Sequence, residues 1–182
     1  MDTAAFAALI GPATKLLWIE APGSVTMEFP DLPALVGAAK ARGVTVAVDN
    51  TWGAGLAFDA FALGADVTAH ALTKYPSGGG DVLMGAVTTR DEELHQRLKA
   101  THMRTGFGVG GNDAEAVLRG LASIDLRYAA QDAAGRTLAR WWQGRPEVVQ
   151  VLHPALDGSP GHAHWKALCT RAAGLFSVVF DA

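Results

Sequence analysis

Residues 44–48, VTVAV, run without a charge and end on Asp49. A continuous segment of small and β-branched residues has no polar face to offer water, so it fits a strand covered on both sides. That one strand constrains the whole chain. Strands covered on both faces belong to α/β layers, in which a parallel sheet lies between the helices that connect its strands. The flanking sequence agrees. LLWIE (Leu16–Glu20) reads as a short buried strand upstream. Between the two, Asp31 reads as an N-cap, Pro33 falls in the first helical turn, and Leu32, Leu35, Val36 and Ala39 form an apolar stripe that Gly43 ends. Strand, helix and strand in this order predict parallel pairing.

Further along, residues 58–63 predict a short helix ended by Gly64, and residues 66–71 and 82–88 predict two more strands. From Asp91 the pattern changes. Residues 91–103 read as an amphipathic helix carrying Leu94 and Leu98, TGFGVGG interrupts, and a long helical region follows from about Asn112 to Trp142, weakened at Gly120 and Gly135. VVQVL, the loop HPALDGSPGH, a short helix near Trp165 and a final strand GLFSVVF complete the chain. We place a domain transition near Gly120. Residues 1–120 are then part of a larger α/β domain, and residues 121–182 start a C-terminal α+β domain. That second domain reads as incomplete, because its last strand needs neighbours on its edges.

Composition narrows the function classes. Hydrophobic residues make up 49% of the 182, enough for a large core without disulfides, and the one cysteine, Cys169, suits a reducing, cytoplasmic setting. A net charge of -3 with no long basic run argues against nucleic-acid binding. No apolar stretch approaches the roughly 20 residues of a membrane span. The opening MDTAAFAALIGPATK lacks a basic leader before its apolar part and does not read as a secretory signal. The histidines are scattered: His162 and His164 are near neighbours, but no third ligand has metal-site spacing.

The chemistry concentrates in AHALTKYPSGGGD (Ala69–Asp81). Lys74 follows a short apolar stretch and Thr73, then meets a glycine-rich turn. Asp49 closes its own strand 25 residues earlier. Strand carboxyl ends are where open α/β sheets place ligands. One amine and one carboxylate placed there meet the needs of pyridoxal 5'-phosphate (PLP). The amine can hold the cofactor as an imine, and the acid can keep the pyridine nitrogen protonated so that the ring accepts electrons. An ordinary lysine amine is almost wholly protonated near neutral pH, and an imine needs the unprotonated form, so burial of Lys74 is expected. Thr73 has a hydroxyl for a phosphate, although threonine is also a common strand residue. Gly78–Gly80 read as a turn rather than a phosphate cradle, since no helix clearly starts there. Trp52 suits either the core or the side of a cofactor.

These phrases are familiar in combination. EAPGSVTMEFPDLPAL, VAVDNTWGAG, HALTKYPSGGGDVLMG, LRGLASIDLR, HPALDGSPGHAHWK and GLFSVVF resemble, in order and over nearly the whole chain, the Cys/Met-metabolism family of PLP-dependent enzymes. EAPGS and SVTME favour its cystathionine β-lyase branch. The resemblance implies the PLP-transferase-like fold of the aspartate-aminotransferase type I class. It implies that Lys74 carries the imine, Asp49 pairs with the pyridine nitrogen and Thr73 touches the phosphate. Ser24 stands where many relatives have an asparagine near the ring's phenolic oxygen. Ala71 stands where many have a phosphate-binding serine. The family's phosphate cup and its ring-stacking tyrosine belong upstream of Met1, and its substrate-carboxylate arginine downstream of Ala182. The chain therefore resembles the middle part of a longer enzyme, and alone it is expected to be weakly active or inactive.

The activity implied is β-elimination: a sulfur-containing amino acid such as cystathionine gives a thiol, pyruvate and ammonia. Lys74 acts as base at Cα and a thiolate leaves from Cβ. Alternatives within the family are methionine γ-lyase and cystathionine γ-synthase or γ-lyase reactions; outside it stand an inactive scaffold and a cofactor-free Schiff-base lyase, which leaves Asp49 without a purpose. Family members are generally homotetramers built from dimers.

Overall fold

The computed structural model describes residues 3–181. A four-stranded sheet carries strands β1 (Leu16–Glu20), β2 (Thr45–Asp49), β3 (Val67–Ala71) and β4 (Gly85–Thr89) in that order. β1, β2 and β3 run parallel, and β4 returns antiparallel to β3. The sheet is thus mostly parallel, as VTVAV requires. In β2, Val46, Ala47 and Val48 are all buried. β1 is one-sided: Leu17 and Ile19 face the core while Leu16 and Trp18 are exposed.

A short helix α1 (Thr3–Ala8) precedes β1, and α2 (Leu32–Lys40) joins β1 to β2. The Asp31 side chain accepts from Ala34 N–H, with proline in the first turn, so α2 starts where the cap predicts. Its stripe of Leu32, Leu35, Val36 and Ala39 packs with Leu17, Ile19, Val46 and Val48 in one cluster. Burying each of the larger side chains is worth roughly 1.5–3 kcal/mol. At the base, Asp66 bonds the Val46 N–H at 2.8 Å and pairs with Lys40 at 2.7 Å, joining β2, α2 and the start of β3.

Beyond the sheet come α3 (Glu92–Thr105), α4 (Gly111–Leu121) and α5 (Ile124–Gln143). β5 (Val148–Leu152) and β6 (Ser177–Phe180) form a separate antiparallel pair, and α6 (His162–Leu168) lies between them in sequence. α5 reaches two cores. Its Tyr128 is buried in the first cluster, and its Ala139 in a second one with Val151 and Leu156. Gly161 also binds distant parts together: a Cβ there would collide with the Phe29 carbonyl, and Phe29 N–H bonds the Pro160 carbonyl at 3.0 Å.

The structure corrects four expectations. Residues 58–63 form turns rather than a helix, because the Asp59 carboxylate takes the N–H groups of Phe61 and Ala62 and closes the segment locally. The region 112–142 is two helices, since the chain turns at Ala122 and Ser123. Gly135 does not weaken α5; it allows Ala173 and Gly174 to pack closely against it. The strand after the glycine turn starts at Gly85, later than Val82.

Candidate active site

β1, β2 and β3 all end at one side of the sheet, and their carboxyl ends open into a cavity of about 480 Å³. All four residues singled out from sequence, Lys74, Asp49, Thr73 and Ser24, line it. Their neighbours there include Glu20, Trp52, Tyr75, Arg127 and Gln131.

Asp49 is the last residue of β2 and lies opposite Ala69 on β3. Its Oδ1 accepts the Thr51 N–H at 3.0 Å, while the Thr51 hydroxyl accepts the Ala71 N–H at 2.8 Å. The loop after β2 thus aims the carboxylate and ties it to the strand leading to Lys74. Gly53 is needed for this loop to close, because a Cβ there would strike buried Asn50, whose amide donates to the Phe58 carbonyl at 3.3 Å. On the adjacent strand β3, burial holds His70 below its ordinary pKa, against the pull of the Asp49 charge and a hydrogen bond with the Asn50 backbone.

Lys74 lies in the turn that leaves β3 at Leu72; its N–H bonds the Ala71 carbonyl at 3.2 Å. Its side chain faces the cavity but is exposed, contrary to the burial expected from AHALT. The apolar residues before it belong to the strand, whereas Lys74 and the glycines that follow stand at the open side. The Thr73 hydroxyl accepts the Met84 N–H at 3.2 Å and donates to the Met84 carbonyl at 3.4 Å, so an anion would compete only with the longer bond. Gly78, Gly79 and Gly80 line the cavity as a turn, with φ of 75° and 71° at Gly78 and Gly80, and no helix starts there.

Ser24 gives its hydroxyl proton to Glu20 at 2.6 Å, and its N–H reaches the same carboxylate at 3.3 Å. Sequence reasoning passed over Glu20. The signal was present: Glu20 closes LLWIE as Asp49 closes VTVAV, and the two are in register. Trp52 is buried in the core cluster and also lines the cavity. Its carbonyl accepts the Tyr128 hydroxyl at 3.0 Å. Tyr75 lies edge-on to Tyr128 at 5.0 Å, and its oxygen accepts the Gly174 N–H at 3.1 Å. Burial raises the pKa of both tyrosines. Arg127 and Gln131, one turn apart on α5, complete that wall and were also missed.

An open, mostly parallel α/β sheet with a cavity at its strand ends defines the class of α/β proteins that bind ligands at the carboxyl ends of their strands. Comparison with known proteins makes the class specific. The chain belongs to the Cys/Met metabolism PLP-dependent enzyme family, whose sequence model matches residues 1–182. It is 40% identical over 172 residues to a cystathionine beta-lyase of Bordetella avium, covering 94% of this chain and 43% of that one. Among solved structures, a methionine gamma lyase from Micromonospora echinospora matches with a TM-score of 0.93 and 34% identity, over 98% of this chain and 48% of that one. A cystathionine gamma synthase from Xanthomonas oryzae matches with a TM-score of 0.92 and 32% identity, over 100% of this chain and 46% of that one. The chain therefore spans less than half the length of these relatives.

The residues present fit the family's cofactor. An accessible amine, an aimed carboxylate and a threonine hydroxyl share one cavity at the strand ends. Its volume of about 480 Å³ lies in the range of small-molecule sites. Among the described residues, no group of three His, Cys, Asp or Glu side chains is placed to hold a metal ion, and no helix is long and apolar enough to cross a membrane.

Proposed function

We propose that this chain supplies the attachment lysine and the ring-nitrogen acid of a carbon–sulfur lyase that cleaves cystathionine or cysteine S-conjugates by β-elimination. The observation that carries the reading is the convergence of Lys74 and Asp49, from two adjacent strand ends, on one cavity. Pyridoxal phosphate, when bound, supplies an electron-accepting ring. Asp49, held by Thr51, keeps a proton on the ring nitrogen. Lys74 holds the cofactor at rest. With the substrate amino acid in the cavity, the Lys74 amine would remove the Cα proton as general base. The Cβ–S bond then breaks and its electron pair leaves with the thiolate. The exposure of Lys74 leaves the amine accessible to cofactor and substrate alike.

The cystathionine beta-lyase relative favours β-elimination. The methionine gamma lyase and cystathionine gamma synthase structures support a second reading, γ-elimination or γ-replacement. Pyruvate as product means β-elimination, 2-oxobutyrate means γ-elimination, and a new thioether amino acid without a keto acid means γ-replacement. We further assign residues 1–120 to the cofactor domain and 121–182 to the start of the next, with α5 packing into both hydrophobic clusters.

Titration with PLP, followed by visible absorbance, tests the assignment. The chain should develop the imine band at low PLP, and Lys74→Ala should keep only the weaker band of its other exposed lysines. An undiminished band in Lys74→Ala refutes the attachment site.

A further inference from the structure

The phrase LRGLASIDLR (Leu118–Arg127) has no part in the chemistry proposed above, yet it meets the lysine turn directly. Arg127 on α5 makes four hydrogen bonds. Nη1 donates to the Tyr75 carbonyl at 2.7 Å, and Nη2 to the Pro76 carbonyl at 3.4 Å. Nη2 also donates to the Gly120 carbonyl at 2.7 Å, and Nε to the Ser123 hydroxyl at 3.0 Å. One guanidinium therefore ties the two residues after Lys74 to the junction of α4 and α5. Gly120 permits the approach, because a Cβ there would collide with the carbonyl oxygens of Pro76 and Ser77. Gly78 permits it too, since a Cβ at that residue would lie 2.5 Å from Arg127 Cζ. The turn itself is closed by Ser77 N–H to the Leu72 carbonyl at 3.0 Å and Gly78 N–H to the Lys74 carbonyl at 3.1 Å.

We infer that Arg127 is a positioning residue for Lys74: it clamps the Tyr75–Gly78 turn against the α4–α5 junction and so fixes the backbone from which the reactive amine projects. The inference rests on the assignment of Lys74 as the attachment point. Because Lys74 is exposed, its placement depends on its backbone rather than on a packed stem. The clamp requires an arginine. Its rigid fork sends bonds to several carbonyls at once, whereas a lysine ammonium is a single point on a flexible stem. Through this residue the order of the helices beyond the sheet becomes a condition for order at the amine.

The test compares where the cofactor attaches. PLP is added to the chain, the imines are reduced with borohydride, and the labelled lysines are identified by peptide mass mapping. Lys15 and Lys99 are exposed and serve as internal controls. In the wild-type chain Lys74 should label faster than either control. Arg127→Met should cut the Lys74 rate about tenfold or more, the scale expected for lost positioning, and leave Lys15 and Lys99 unchanged. Amide exchange should rise at Ser77 and Gly78 but not in β2. Arg127→Lys, a milder change, should not restore the wild-type rate. Equal labelling of all three lysines in the wild-type chain overturns the attachment assignment and this inference with it. Preferential Lys74 labelling that persists at full rate in Arg127→Met overturns this inference alone. Exchange that rises uniformly through β2 also overturns it, since Arg127 then supports the fold rather than the lysine.

Discussion

Acid should loosen this protein through a buried histidine that lies away from the cavity. His153 is fully buried. Its Nδ1 accepts the Ala155 N–H at 3.1 Å, which puts the ring proton on Nε2, a buried atom without a partner among the described residues. Burial, and then the Arg136 charge, push its pKa down from 6.5 to about 4, against the pull of Asp132. The sign follows from proton counting. Between those two values the unfolded chain binds a proton that the folded chain refuses, so stability falls as pH drops through this window. At 1.36 kcal/mol per pH unit, the full gap amounts to about 3 kcal/mol, of which about 2 kcal/mol is lost by pH 5. The assay is urea unfolding near pH 7.5 and near pH 5. His153→Asn offers an amide oxygen to Ala155 without titrating, so its loss on acidification should be smaller by about 2 kcal/mol. Equal losses in variant and wild type would refute the argument.

Two further substitutions probe the framework around the site. Tyr128→Phe removes the donor to the Trp52 carbonyl and should cost about 1–3 kcal/mol in a denaturant titration, the penalty for a buried acceptor left unpaired; an unchanged midpoint contradicts this. Gly161→Ala, at φ 77° and against the Phe29 carbonyl, should destabilise by more than about 1 kcal/mol and lower the thermal midpoint, and a variant as stable as wild type would show that this contact relaxes freely.

Local signals were legible in the sequence. The α2 stripe and its Asp31 cap follow helical periodicity, and β2 follows from an uninterrupted apolar run. The placement of Asp49 and Lys74 at one cavity was legible because each ends or follows such a run, and strand ends converge in an open sheet. Residues 58–63 misled because their apolar content is helical while Asp59 satisfies a turn that competes with the helix. Arg127 was not legible as a clamp. Two of its partners are main-chain carbonyls more than 50 residues away, at Tyr75 and Pro76, and a carbonyl leaves no mark on side-chain identity. The exposure of Lys74 depends on which walls surround the turn, and the apolar character of its predecessors reports only on the strand.

The central claim is that Lys74 and Asp49 hold one pyridoxal ring between them, and the protonation state of its nitrogen reads this most directly. The chain should be loaded with PLP labelled with nitrogen-15 in the ring, and the ring nitrogen observed by NMR near neutral pH in wild type and Asp49→Asn. A nitrogen protonated in the wild-type chain and unprotonated in the variant is the predicted result. The same nitrogen signal in both proteins would contradict it.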